Sequence, residues 1–144
     1  MTSVVRIEEL LQAKAWSDLQ LDYRINLTHL HYRLNVLRRA CKIPFIITSG
    51  FRSAEDHVRI YREINEKRKE EGKKPVMMPT TSQHLFGCAA DINDSNGAIK
   101  KWVSGLNEVD LQRFGLWYEH FDATPRHLHC QIYQPESGNR FFVP

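Results

Sequence analysis

Residues 82–92 read Ser82-Gln83-His84-Leu85-Phe86-Gly87-Cys88-Ala89-Ala90-Asp91-Ile92, and His127-Leu128-His129 follows near the C-terminus. The run Ala89 to Ile92 predicts a buried strand, and the small residues Gly87, Ala89 and Ala90 let backbone pack closely beside His84 and Asp91. His127 to Tyr133 predicts a second strand. Side chains in a strand alternate faces, so His127, His129 and Gln131 point one way, and Leu128, Cys130 and Ile132 point into the core. Neutral imidazoles and one carboxylate form the donor set of a catalytic zinc site. Two His and one Asp hold Zn²⁺ at about 2.0–2.2 Å and leave a fourth position open for water. The expected architecture follows from the strands that carry these residues: an α+β domain, with helices on a small, mainly antiparallel sheet whose open face bears the metal.

The rest of the chain supplies the helices. Leu27, Leu30, Leu34, Leu37 and Cys41 recur in alternating steps of three and four, the stripe of an amphipathic helix over about 18–41. A short helix over 7–14 precedes it, and Pro44 ends it. Phe45 to Thr48 predicts a short buried strand. Ser53 is placed to cap a further helix, with Asp56 in its first turn and Val58, Tyr61 and Ile64 on one face. Residues 72–81 form a polar loop. Ile99, Trp102, Val103 and Leu106 mark a helix starting near Asn96, and 114–119 a strand.

Composition bounds the class. The 144 residues suit one compact domain, 1–144, and 42% hydrophobic with 26% charged residues is ordinary for a globular chain. No run approaches the roughly 18 apolar residues of a membrane span. Glu8 and Glu9 interrupt the first apolar stretch, which does not read as a secretory signal. Synthesis in a cytoplasm is therefore expected, with action on a cell wall after release or carriage by a virion. The net charge of +3 comes largely from 67–74, where Glu70 and Glu71 are mixed with the bases. That mixture is a solvated helix end rather than a nucleic-acid patch. The three cysteines, Cys41, Cys88 and Cys130, show no framework spacing and read as reduced core residues.

The motifs resemble a known family. SerGlnHisLeuPheGlyCysAlaAlaAsp is similar to the SxHxxGxAxD motif of zinc D-Ala-D-Ala carboxypeptidases and L-Ala-D-Glu endopeptidases, grouped with lysostaphin-type peptidases and the hedgehog domain. Thr48-Ser49-Gly50-Phe51-Arg52-Ser53 is similar to that family's SGYRS element, with Phe51 in place of Tyr. The resemblance implies a hedgehog/DD-peptidase-like zinc domain with one Zn²⁺ per chain, held by His84, Asp91 and His129. It implies His127 beside the metal water, Arg52 facing the scissile carbonyl or a terminal carboxylate, and Ser82 donating its hydroxyl to substrate. The implied partners are peptidoglycan stem peptides. With no secretory signal read in the sequence, a phage or prophage setting is the expected one.

One position departs from the pattern. Many relatives carry an acid three residues before the last ligating His, where this chain has Arg126. Three residues stand as candidates for the general base: Glu119, His127 and Asp122. The loss of that acid also fits a rival reading, a catalytically inactive zinc-containing module that binds peptides or a protein partner. Trp102 and Trp117 read as core aromatics, Trp117 with a possible place in the cleft, and His31 and His57 as exposed or core-edge residues. His120 is a further candidate for a place behind the metal ligands.

Overall fold

The leucine stripe of residues 27–37 is the spine of the molecule. In the computed structural model, which describes residues 4–144, Leu27, Leu30, Leu34 and Leu37 are fully buried on one face of helix α2 (Leu21–Cys41). Each such side chain contributes about 1.5–3 kcal/mol by leaving water. The helix ends where Lys42 turns left-handed, at φ 61°, two residues ahead of Pro44. Helix α1 (Ile7–Leu11) packs Leu10 and Leu11 beside it. Both helices are shorter than their sequence patterns indicate at the ends that face each other along the chain, α1 stopping at Leu11 and α2 starting at Leu21. A separate 3-10 turn at Trp16–Asp18 precedes α2.

A five-stranded sheet lies against these helices in the order β1-β2-β4-β3-β5. Its strands are β1 (Ile47–Ser49), β2 (Ala89–Asn93), β3 (Trp117–Glu119), β4 (His127–Gln131) and β5 (Phe141–Phe142). All neighbours are antiparallel except β3 and β5, which run parallel. The α+β architecture with a mainly antiparallel sheet is thus as expected. The parallel edge strand β5 carries too few residues to signal itself by alternation. Helix α3 (Ala54–Glu70) connects β1 towards β2, and α4 (Ala98–Ser104) and α5 (Glu108–Phe114) connect β2 to β3. The helix expected from near Asn96 is α4, which stops ahead of Gly105. Helix α5 was not expected: it takes in Phe114, read from the sequence as the start of a strand, and begins at the Asn107 cap, whose side chain accepts from the Asp110 amide.

The expected cap of α3 is present: the Ser53 hydroxyl accepts from the Asp56 amide at 3.1 Å. The expected packing face is not. Val58 and Ile64 are exposed, and His57 is the buried residue of this helix. The three free cysteines are all buried, and burial pushes the Cys88 thiol up to about 12. Among the described residues, no helix is long and apolar enough to cross a membrane.

Candidate metal centre and cleft

Register brings the two motifs together. In the β2–β4 pair Asp91 lies directly opposite His129, and Asn93 opposite His127. His84 reaches the same point from a 3-10 turn over Gln83–Phe86, which ends at Gly87 with φ 75°. A Cβ at Gly87 would sit 2.9 Å from the Tyr23 carbonyl oxygen, so the turn depends on glycine there. His84 Nε2 is 3.3 Å from one carboxylate oxygen of Asp91, and His129 Nδ1 is 2.9 Å from the other. Among the described residues, His84, Asp91 and His129 form the group whose side chains offer three donor atoms within 4.8 Å of one another.

The donor set fits a metal ion. Ligand bonds of 2.0–2.2 Å in a tetrahedron set neighbouring donors roughly 3.3–3.6 Å apart. The His84–Asp91 separation of 3.3 Å falls in that range, and His129–Asp91, at the hydrogen-bond distance of 2.9 Å, would have to widen by a few tenths of an ångström. Both imidazoles are aimed from behind. His84 Nδ1 donates to the Gly50 carbonyl at 2.9 Å, which leaves Nε2 facing Asp91. His129 Nε2 donates to Gln131 Oε1 at 3.0 Å, and Gln131 in turn donates to the Tyr133 carbonyl. Outer partners of this kind fix the tautomer and ring orientation of metal-binding histidines. Gln131 was visible in the sequence only as a residue sharing the His129 face. Gln131→Leu is expected to weaken metal affinity about 10- to 100-fold with the fold intact, as read by titration against a competing chelator.

Electrostatics in the centre are strongly coupled. Burial pushes the Asp91 carboxyl up, but hydrogen bonds from His129 and His84 outweigh it and hold the group below the ordinary carboxylate range. Burial pushes His129 down, and the Asp91 carboxylate more than reverses this, so the imidazole is raised. An Asp that stays ionised is what a metal ligand requires.

The centre opens into a cavity of about 520 Å³, on whose wall stand Arg52, Tyr61, Ser82, Glu119 and His127. Arg52 is the only lysine or arginine among the residues lining it. The structure thus brings together every residue singled out as a metal, catalytic or substrate candidate except Asp122. The Asp122 side chain is 95% exposed, pairs with His120 and lies off the cavity wall, so it is removed as a candidate base. Glu119 Oε2 is 3.7 Å from His129 Nδ1, and the side chain is 18% exposed. His127 Nε2 is 3.7 Å from Asp91.

Other candidates separate cleanly. The Arg126 side chain is exposed and only its carbonyl engages the fold, accepting from the Asp94 amide. His120 is exposed and caps the Phe121–Ala123 turn with Nδ1, so it does not stand behind the ligands. Trp117 lies under the Arg140 guanidinium, 4.6 Å from its ring centre, and outside the cleft. Cys130 is fully buried, as its inward alternation requires. The segment 121–124 that closes one side of the cleft is held by the buried Lys100 ammonium, which donates to the Thr124 carbonyl.

Comparison with protein families matches residues 25–116 to the D-alanyl-D-alanine carboxypeptidase (VanY) family, and the chain belongs to that family. The matched span carries Arg52, Ser82, His84 and Asp91, and ends before Glu119, His127 and His129. No curated protein matches the chain. Family and fold agree with the resemblance read from the two motifs, and membership assigns the chain to the carboxypeptidase-type peptidases that act on peptidoglycan.

Proposed function

We propose that the chain is a zinc peptidase that hydrolyses a D-amino-acid-containing bond of a peptidoglycan stem peptide, with release of a terminal D-Ala as the favoured reaction. The observation that carries this reading is the cavity wall: one cationic fork, Arg52, facing a convergent His/Asp/His centre flanked by Glu119 and His127. His84, Asp91 and His129 would hold the ion. Bound there, Zn²⁺ supplies Lewis acidity and lowers the pKa of water to about 7.

The protein's own groups do the rest. Glu119 is placed to take a proton from the attacking water and return it to the departing amine, since its carboxylate stands beside the ligand cluster and near neither Lys nor Arg within ion-pair distance. It would supply from β3 the acid that Arg126, just ahead of β4, does not. His127, at the open end of the cluster, is placed to hold a proton or donate to the developing oxyanion. A guanidinium can donate two parallel hydrogen bonds, a match for a peptide's terminal carboxylate, and Arg52 presents one on the cavity wall. The Ser82 hydroxyl, on the same wall, is free to bond the substrate backbone. A carboxypeptidase needs a fixed cation for that carboxylate, and Arg52 meets the need. The presence of Glu119 in the cleft weighs against the reading of an inactive binding module. The sheet draws strands from Ile47 to Phe142, so we also read 1–144 as one domain.

The test is mass spectrometry of stem peptides incubated with zinc-loaded protein, beside a chelator-stripped control. Zinc-dependent loss of one alanine residue is expected. Loss between L-Ala and D-Glu would reassign the bond, and no cleavage by protein holding one zinc would sink the peptidase reading.

A further inference from the structure

We propose that His57 is a positioning residue, whose buried imidazole fixes the Arg52 guanidinium at the cleft and locks it to the rim segment 74–79. The proposal rests on the reading of Arg52 as the substrate-binding cation.

His57 is 2% exposed. Its Nε2 is 2.6 Å from the Pro79 carbonyl oxygen and its Nδ1 is 3.2 Å from Arg52 Nη1. A carbonyl only accepts and a guanidinium only donates, so one tautomer satisfies both: the proton sits on Nε2 and the Nδ1 lone pair accepts from Arg52. A proton on Nδ1 would set N–H against N–H. The Tyr61 ring meets the imidazole edge-on, with centres 4.9 Å apart, and restrains its plane. Arg52 is held elsewhere too. Its Nη2 donates to Ser49 Oγ at 3.1 Å, and its backbone amide donates to the His84 carbonyl at 3.0 Å. Arg52 is thereby tied both to the candidate metal ligand and, through His57, to the rim.

The rim runs along α3 rather than away from it. His57, Tyr61, Asn65 and Arg68 follow in steps of four, four and three, a single face of the helix. Asn65 exchanges two hydrogen bonds with the Val76 backbone, at 3.1 and 2.8 Å, and Arg68 Nε donates to the Lys74 carbonyl at 2.6 Å. From 57 to 68 a helix rises roughly 16 Å, and an extended chain from 74 to 79 covers about the same distance. The segment is therefore a strap laid antiparallel along the helix, pinned at three points, and its last pin is the histidine that holds Arg52. Pro79, at that pin, and Thr81, just beyond it, form part of the cavity wall.

The experiment has two arms. Long-range ¹H–¹⁵N correlation on the full chain reads the His57 tautomer directly. A proton on Nε2 alone is expected, and a ring bearing a proton on Nδ1 overturns the proposal whatever the activity. The second arm uses a peptide ending in D-Ala-D-Ala. His57→Leu is expected to lower kcat/KM about 10- to 100-fold, chiefly through KM, with metal content unchanged. His57→Gln, which carries an acceptor and a donor on one planar group, is expected to recover most of that loss. In an Arg52→Ala background, His57→Leu is expected to add less than about twofold. Losses that multiply, or a Gln variant as impaired as Leu, overturn the positioning role. If the unmodified protein fails to cleave the peptide, the peptidase reading falls, and the tautomer arm still decides whether His57 orders Arg52.

Discussion

Glu119→Gln is expected to lower turnover of a D-Ala-D-Ala peptide by about 10²- to 10⁴-fold while the metal stays bound. The substitution keeps the size and hydrogen-bonding capacity of the side chain and removes only its ability to take a proton. Glu119 arrives at the cleft because β3 pairs with β4 through Trp117–Gln131 and Tyr118–Cys130, which carries the next residue of β3 to the neighbourhood of His129. Its carboxylate is 3.7 Å from His129 Nδ1 and is not one of the three convergent donors. Zinc content should therefore be unchanged. His127 occupies the opposite position and is more open to solvent. His127→Ala is expected to cost less, about 10- to 100-fold, again with metal retained. The pair of measurements assigns the base: if Glu119→Gln keeps activity within a few-fold and His127→Ala abolishes it, the two roles exchange.

Asp91→Ala is expected to weaken metal binding about 10²- to 10³-fold and to lower activity with it. Zinc sites with four ligands gather about 10–16 kcal/mol, so one ligand's share is roughly 3–4 kcal/mol, or 10²- to 10³-fold in affinity. Asp91 has a second role, since its two oxygens face His84 and His129 separately. Removing it leaves two imidazoles 5.2 Å apart with no anion between them. Titration with zinc against a chelator reads the first effect, and peptide turnover the second. Affinity within tenfold of the unsubstituted protein would remove Asp91 from the ligand set.

The site was legible where its chemistry is local or periodic. His84 and Asp91 share one short motif, and strand alternation alone turned His129 and Gln131 to the same face while sending Cys130 inward. Arg52 and Ser82 became candidates only through resemblance, because nothing in their neighbours states that they face a cleft. His57 was misjudged for a related reason. Helical periodicity favours apolar residues, so Val58, Tyr61 and Ile64 suggested the packing face, whereas α3 turns His57, Asn65 and Arg68 to the backbone groups of the 74–79 strap. The choice among Glu119, His127 and Asp122 needed the β3–β4 register, which depends on contacts between strands rather than on either strand's residues. Helix α5 went unread because its seven residues are too few to show a period, and Phe114 was counted with the strand that in fact begins at Trp117.

The strand order has a consequence for how the protein reaches its native state. β1 pairs with β2 across Ile47 and Ile92, and β2 with β4 across Asp91 and His129, so the central ladders join residues far apart in the chain. Closing such loops costs entropy before any contact repays it, and slows folding relative to local structure. His84 and Asp91 come together early in sequence terms, but His129 joins them only when β4 docks. The complete triad therefore exists only once β2 and β4 have paired. A metal offered during refolding would be captured at the rate of β2–β4 docking, and its uptake would time that step.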